Sequence, residues 1–216
     1  LHLSCRDLTL ISAESKISGA EALGINNILA ITGDRPAAGD YDKSVAVNNM
    51  QSIGLIRLLK QRNAGYNAVG EQLEHPSNIY IGCAFDAGKL SSEKLRNKTK
   101  YNAGADFALT QIISDVKTVE QLAAFVNEAK KNVWAGPDFF MVPGTYVFRS
   151  AANLHYLAKH LRVKIAPETL HSMEACQTKQ EQKEYGYALA RDVILAAKQY
   201  FPAVYIIPPA DKPESI

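Results

Sequence analysis

Polar residues that could take part in catalysis follow an apolar run near the start of this 216-residue sequence. The run 28–31 leads directly into Thr32, Gly33 and Asp34. A carboxylate is thereby placed at the tip of a predicted buried strand, and active sites of barrel enzymes are assembled from strand ends. The sequence Gly-Asp-x-Pro also suits a turn, so a purely structural role for Asp34 stays open.

Two further apolar runs carry polar residues of the same kind. His2 and Ser4 belong to the run that opens the sequence, and Thr110 and Gln111 end the run 106–111. The Gln111 amide has both donors and an acceptor, which suits the amide-like edge of a heterocycle. A solvent-exposed role for Gln111 and a structural role for His2 are the alternatives.

The elements that must position these residues alternate regularly along the chain. Apolar runs predict strands at 1–5, 26–32, 78–85, 106–111, 138–144 and 203–208. Apolar residues at helical spacing predict helices at 11–24, 51–63, 91–102, 119–131, 150–161 and 179–200. Ser12 is the predicted cap of the first helix and Gly24 its stop. Near-continuous apolar strands separated by helices are typical of parallel sheets.

The position of the polar residues favours one kind of α/β fold. No glycine-rich phosphate-binding sequence, neither GxGxxG nor GxxxxGK[ST], follows a predicted strand, which argues against a doubly wound nucleotide-binding sheet. Polar residues at several strand ends are typical of the active-site face of a TIM-type (β/α)8 barrel. Six βα units are predicted here. We therefore expect residues 1–216 to be a single partial barrel domain whose first two βα units lie upstream.

Composition excludes some functions. The hydrophobic fraction of 47%, the charged fraction of 21% and the net charge of +2 are ordinary, so neither nucleic acid nor a membrane is a predicted partner. No apolar run approaches the roughly 18 residues of a membrane span. Cys5, Cys83 and Cys176 lack metal-ligand spacing, so we expect no metal site and free thiols in a reducing compartment, the cytoplasm.

Three segments in this order resemble the methylenetetrahydrofolate reductase family: 2–7 (HLSCRD), 32–36 (TGDRP) and 103–111 (AGADFALTQ). The likeness extends to about Pro209 and is greatest to the type fused to, or encoded with, homocysteine methyltransferases. It implies a barrel that binds FAD non-covalently and takes hydride from NAD(P)H. The flavin would then reduce 5,10-methylenetetrahydrofolate to the 5-methyl form. A homo-oligomer, or association with a homocysteine methyltransferase, is also implied.

The resemblance assigns roles to particular residues. Asp34 would be catalytic, making the flavin a stronger reductant and stabilising the cationic iminium of the opened folate ring. Gln111 and Ser150 would contact the folate. The predicted cofactor-binding residues are His2, Ile31, Thr32, Gly33, Asp34, Ser52, Cys83, Phe85, Glu93, Arg96 and Lys100.

The polar end of FAD would lie against the helix predicted at 91–102. Lys100 matches a basic position of the family, eleven residues before Gln111, and would pair with the pyrophosphate. Arg96 and Glu93 lie one and two turns earlier on the same side, and Glu93 could accept from a ribose hydroxyl. A solvated basic face is the alternative.

Two other cofactor contacts are predicted from their position in the chain. Ser52 begins a helix, where free N–H groups attract anions. Phe85 could pack on a cofactor ring or belong to the core.

Some family features are missing. The family carries its general acid, a glutamate, in a Phe- and Pro-rich strand, and no such motif occurs here. The residues after Gln111 and after Gly144 also depart from the family, and only Ser150 and Asn153 fit well there. We therefore expect little or no activity from the 216 residues alone. A non-catalytic flavin- or folate-binding barrel and a pterin-dependent barrel related to corrinoid methyltransferases are the alternative functions.

Overall fold

A computed structural model describes residues 1–33, 47, 49–132, 136, 138–160 and 163–208 of the chain. The chain divides into two compact units. The first unit consists of residues 1–84 and 95–108, and the second of residues 85–94 and 109–216.

Strands and helices alternate in the described residues. The strands are β1 (His2–Ser4), β2 (Asn27–Ile31), β3 (Tyr80–Phe85), β4 (Phe107–Ile112), β5 (Phe140–Tyr146) and β6 (Tyr205–Ile207). The helices are α1 (Leu10–Ala22), α2 (Ser52–Asn63), α3 (Leu90–Asn102), α4 (Val116–Lys131), α5 (Ala151–His160), α6 (Pro167–Ala175) and α7 (Lys179–Ala197).

The sheet has the strand order of a TIM-type barrel. Its six strands follow one another in chain order, and the pairs β1–β2, β2–β3 and β5–β6 are parallel. A doubly wound sheet would instead reverse direction at a switch point. The predicted α/β fold of the TIM type is confirmed, with six strands in chain order.

Helices α1 and α2 bury one face each in the first unit. Ala13, Ile17 and Ala20 are buried on α1 at the spacing expected for one face of a helix. The buried guanidinium of Arg62 on α2 donates to the carboxylates of Glu14 and Glu21 on α1. This ion triad joins the two helices, and its charges are paired as burial requires.

The core of the second unit depends on a close helix contact. Phe148, Leu154, Leu157, Val163 and Met173 form a buried cluster. Helix α7 passes over this cluster at Gly186, where an added Cβ would lie 1.7 Å from the carbonyl oxygen of Phe148. Only glycine allows the helix to lie so close.

Tyr205 adds side-chain contacts to the pairing of β6 with β5. Tyr205 pairs with Gly144 in the register of β5 and β6, and its hydroxyl donates to the carbonyl oxygen of Thr110. An added Cβ at Gly144 would lie 2.1 Å from the tyrosine ring, so the ring packs directly on the glycine backbone.

Some predicted helix boundaries were wrong. The cap of α1 is Thr9, whose hydroxyl accepts from the Ser12 backbone N–H at 3.2 Å, so Ser12 lies inside the first turn. Asp115 caps α4, which begins at Val116, three residues before its predicted start. Helix α6 was not predicted, because only Thr169 and Met173 of its nine residues are buried and its apolar period is short. In the described part of the chain, no helix is long and apolar enough to span a membrane.

Candidate functional site

The chain that follows β1 runs beside the chain that follows β2. The backbone N–H of Cys5 donates to the carbonyl oxygen of Ile31 at 2.9 Å, and that of Arg6 donates to Thr32 at 3.1 Å. The Arg6 N–H also donates to the Ser4 hydroxyl oxygen at 3.2 Å. Parallel pairing therefore continues past both strand ends and brings their polar side chains together.

Gly33 is required at the end of this paired region. Its φ is +85°, in the left-handed region that favours glycine. An added Cβ would lie 2.1 Å from the Ser4 hydroxyl oxygen. A predicted cofactor-binding position is thus a point where the backbone lies unusually close to a neighbouring side chain.

Two predicted cofactor-binding residues meet beside Gly33. The Thr32 hydroxyl donates to the Ser52 hydroxyl across 3.3 Å, in an exposed position. Ser52 is the first residue of α2, and the preceding residue, Gln51, makes no side-chain capping bond. The first N–H groups of α2 therefore lie beside two hydroxyls, which is a donor set suited to phosphate.

The other residues predicted near this edge are placed differently. Asp34, the predicted catalytic residue, lies outside the described residues, whereas Ile31 is half-buried at the end of β2. His2 is exposed, but it is the first residue of β1 and pairs with Leu29. Grouping His2 with the polar strand ends was wrong, because pairing runs on to Ser4 opposite Ile31 and His2 begins the strand.

Cys83 and Phe85 lie in the core. Cys83 pairs with Ala30 and is fully buried. Phe85 is 1% exposed, and its ring centroid lies 5.3 Å from that of Phe125. Core packing accounts for both side chains in this structure, and their cofactor contacts stay predictions.

Helix α3 buries charged side chains. Glu93 is 2% exposed and Lys100 is 6% exposed, whereas Arg96 is exposed. The Lys100 ammonium donates to the carbonyl oxygen of Ala84 near the end of β3. The alternative of a solvated basic face is therefore wrong for Glu93 and Lys100. A buried charge needs partners, and the bond to Ala84 supplies one for the Lys100 ammonium.

A cleft of about 1060 Å³ opens in the second unit. It is lined by the loop after β3, the end of β4, the first turns of α3, α4 and α6, and residues further along α4. Gln111, the predicted folate contact, is exposed and lines this cleft, whereas Ser150 is not among the lining residues. The cleft was not predicted, because its lining comes from segments far apart in the chain.

Most charges around the cleft are already paired. Lys94 bonds Glu128 at 2.6 Å, and Lys89 bonds Asp86 at 2.9 Å. The Lys164 ammonium donates to the carbonyl oxygen of Gly88 at 2.8 Å. The Gln111 amide is thus the polar group that the prediction places in the cleft, near Lys89, Lys94 and Lys164, each of which already bonds one partner.

Ser150 has a local structural role. Its hydroxyl accepts from the backbone N–H of Asn153 at 3.1 Å, and its carbonyl accepts from the N–H of Leu154 at 3.1 Å. This is the bonding of a helix cap, so Ser150 is the cap that precedes α5. A folate contact at Ser150 stays a prediction.

The cysteines are free thiols. Cys5 and Cys83 are buried, and Cys176 is partly exposed. Burial raises the pKa of the Cys5 thiol to about 11. Cys5 therefore stays protonated near neutral pH and is a poor nucleophile, although it directly follows Ser4 in the strand-end region.

The fold and the site define a barrel-type α/β protein with polar strand ends and a ligand-sized cleft. The methylenetetrahydrofolate reductase family model matches residues 1–200 of the chain. The chain therefore belongs to the methylenetetrahydrofolate reductase family, which is a family of oxidoreductases, and the predicted resemblance is confirmed.

The relatives are distant and longer. A probable methylenetetrahydrofolate reductase (NADH) of Oryza sativa is 23% identical over 197 residues, which are 89% of this chain and 32% of the relative. A probable methylenetetrahydrofolate reductase (NADPH) of Caenorhabditis elegans is 23% identical over 81% of this chain and 24% of the relative. The chain thus spans about a third or less of the length of these curated relatives.

One similar solved structure is an uncharacterized protein from Clostridium thermocellum that binds two copies of 5-methyl-5,6,7,8-tetrahydrofolic acid. Its TM-score to this chain is 0.47 at 12% identity, and the match covers 96% of this chain and 86% of that one.

Proposed function

We propose that this chain is part of a flavin-dependent methylenetetrahydrofolate reductase. The protein would bind FAD and use NAD(P)H to reduce 5,10-methylenetetrahydrofolate to 5-methyltetrahydrofolate. The observation that carries the proposal is the family match over residues 1–200. Relatives with both NADH and NADPH in their names match the chain, so the proposal includes both donors.

The described residues fit the polar part of FAD. At Gly33 the Ser4 hydroxyl takes the space that a side chain would fill, so this edge presents a further polar group. Thr32, Ser52 and the first N–H groups of α2 would donate to a phosphate or ribose oxygen. Bound FAD would supply the relay that takes hydride from the nicotinamide and passes it to the folate.

Helix α3 would hold the pyrophosphate and ribose. An ammonium has three donors, so Lys100 could keep its bond to Ala84 and still donate to a phosphate oxygen. Glu93 would accept from a ribose hydroxyl, and the exposed Arg96 would add positive charge. His2, Ile31, Cys83 and Phe85 complete the proposed cofactor residues.

Gln111 would orient the folate from the cleft, because its amide can donate to and accept from the edge of a pterin. Ser150 is the second proposed folate contact. Asp34 would stabilise the cationic iminium and disfavour the anionic reduced flavin. The glutamate motif that carries the family's general acid is absent from the sequence, so the acid step is not assigned to these residues.

The proposal also covers the domain, the compartment and the assembly of the protein. Residues 1–216 would form part of one (β/α)8 barrel domain. Free thiols at Cys5, Cys83 and Cys176 fit a reducing compartment such as the cytoplasm. A homo-oligomer, or association with a homocysteine methyltransferase, is the proposed assembly.

The test is a pair of anaerobic half-reactions on the FAD-loaded chain. NADH or NADPH should bleach the flavin, and 5,10-methylenetetrahydrofolate should restore its colour roughly 10²–10⁴ times more slowly than in an enzyme with its general acid. Asp34→Asn should raise the flavin midpoint potential, because it removes a negative charge that opposes the anionic reduced form. An unchanged potential would remove Asp34 from the proposal, and a flavin that neither nicotinamide reduces would overturn the reaction.

A further inference from the structure

Asp7 makes an unusual set of contacts just after β1. Its φ is +59°, and among the described non-glycine residues no other has a positive φ. Its backbone N–H donates to the carbonyl oxygen of Val47 at 2.9 Å, and its carboxylate Oδ1 accepts from the Val47 N–H at 3.1 Å. The other carboxylate oxygen, Oδ2, accepts from the Arg6 guanidinium at 2.8 Å.

These contacts explain the residue type at this position. Asp and Asn tolerate the left-handed conformation better than other side chains that have a Cβ. Their short side chain can also present an acceptor close to the backbone. Asp7 therefore forms a two-bond clasp with Val47, in which its main chain donates and its side chain accepts.

The clasp holds a residue of the chain segment that leads into α2. Val47 lies five residues before Ser52, and α2 begins without a side-chain cap from Gln51. The neighbouring residue Arg6 bonds the Thr32 carbonyl through its own N–H. Two consecutive residues thus bond two chain segments: Arg6 bonds the segment that follows β2, and Asp7 bonds the segment that leads into α2. The hydroxyls of Thr32 and Ser52 meet between these segments.

We propose that Asp7 is a positioning residue for ligand binding at this edge, because its clasp on Val47 fixes the start of α2 and holds Ser52 beside Thr32. The ligand part of the inference rests on the proposed function, in which this edge contacts FAD. Asp7 itself touches no ligand in the proposal.

Two substitutions separate the side-chain acceptor from the backbone conformation. Asp7→Gly keeps the left-handed backbone at no steric cost but removes the acceptor for the Val47 N–H. Asp7→Asn keeps both an acceptor and a tolerated conformation while it removes the charge. Asp192→Asn is the matched control, because Asp192 also pairs with the preceding arginine, at 3.1 Å and with similar exposure.

The measurements are amide exchange at Val47 and FAD affinity. Asp7→Gly should speed Val47 exchange roughly fivefold to tenfold, as expected for one lost hydrogen bond, and should weaken FAD binding by a similar factor. Asp7→Asn should restore both properties to within about twofold, and Asp192→Asn should change neither.

Three results would overturn parts of the inference in distinguishable ways. Equal Val47 exchange in the unaltered protein and Asp7→Gly would mean that the clasp does not exist in solution. Faster exchange with unchanged FAD affinity would leave Asp7 with a structural role only. If the unaltered chain binds no FAD, the proposed function fails and the ligand role of Asp7 fails with it, while Val47 exchange still decides the clasp. Should Asp7→Gly not fold, Val47→Pro removes the same N–H donor and FAD affinity is the measurement: an affinity equal to that of the unaltered protein would overturn the ligand role.

Discussion

The Thr32 hydroxyl donates to the Ser52 hydroxyl across 3.3 Å, which joins the end of β2 to the first residue of α2. If these hydroxyls contact FAD, Ser52→Ala and Thr32→Val should each weaken FAD binding by about 0.5–1.5 kcal/mol, the range for one neutral hydrogen bond. Titration with FAD measures the effect. The exposed α1 residue Ser15 provides the control, since Ser15→Ala should leave affinity unchanged. Equal affinities for all of these variants would place the cofactor elsewhere.

Gly33 should tolerate no side chain. Gly33→Ala combines a positive φ with a Cβ placed 2.1 Å from the Ser4 hydroxyl oxygen, so we expect a loss of about 2–4 kcal/mol in the free energy of unfolding. Gly70→Ala is the matched control, because Gly70 has a φ of +88° and nothing within 4 Å. It should cost only about 1 kcal/mol. Urea unfolding measures the free energy of unfolding of both variants. Equal losses for Gly33→Ala and Gly70→Ala would show that the contact with Ser4 contributes nothing to the cost.

Two helical glycines should respond in opposite directions. Gly186→Ala places a Cβ 1.7 Å from the Phe148 carbonyl oxygen, so α7 must move and the free energy of unfolding should fall by about 1–3 kcal/mol or more. Gly19 of α1 has nothing within 4 Å, and Gly19→Ala should raise stability by about 0.5–1 kcal/mol. Thermal unfolding shows which substitution raises stability and which one lowers it. A stabilising Gly186→Ala would contradict the close contact between α7 and Phe148.

Stability should fall at alkaline pH. Burial raises the pKa of Cys5 from 9.0 to about 11 and that of Tyr205 from 10.0 to about 12. Both groups are neutral when protonated, so the folded state holds their protons to higher pH than the unfolded state does. Their contribution to stability is fully present below about pH 9 and is lost as pH rises toward 12.

Tyr205→Phe isolates one of these groups. It removes the bond to the Thr110 carbonyl and should lower stability at pH 7 by about 1 kcal/mol. Between pH 10 and 12 its free energy of unfolding should fall less steeply than that of the unaltered protein, because one titrating group is gone. Urea unfolding at several pH values provides the comparison, and identical slopes would mean that the Tyr205 pKa is not raised in the folded state.

Lys100 should matter more for cofactor binding than Arg96. Lys100 is buried near the end of β3 and Arg96 is exposed, so a charged bond from Lys100 would be shielded from water. We expect Lys100→Ala and Glu93→Ala to weaken FAD binding by about 1.5–3 kcal/mol and Arg96→Ala by less. Circular dichroism checks that the variants fold. Unchanged affinity in both buried-site variants would assign Lys100 and Glu93 to the structure alone.

The strand order could be predicted because the apolar runs are nearly continuous and regularly separated. Nearly continuous apolar runs such as 28–31 and 106–111 indicate a buried parallel strand from the local sequence alone. Helix starts were less accurate. The Thr9 cap of α1 depends on an extended backbone at one residue, and Ser12 is an equally good capping residue by type.

The candidate site could be predicted only where its residues are adjacent in the sequence. Thr32 and Gly33 were predicted as site residues because they lie at the end of an apolar run, whereas the contact between Thr32 and Ser52 joins residues twenty positions apart. The Asp7 clasp and the burial of Lys100 depend on tertiary packing in the same way. Nothing in the spacing of Asp7 and Val47 distinguishes them from ordinary loop residues.

The central claim is that this chain belongs to a flavoprotein, and a titration of the purified 216 residues with FAD tests it most directly. We predict saturable binding of about one FAD per chain, with a shifted visible spectrum, weakened by Lys100→Ala and by Ser52→Ala but not by Ser15→Ala. A folded chain whose addition leaves the FAD spectrum and fluorescence unchanged at every concentration would contradict the account.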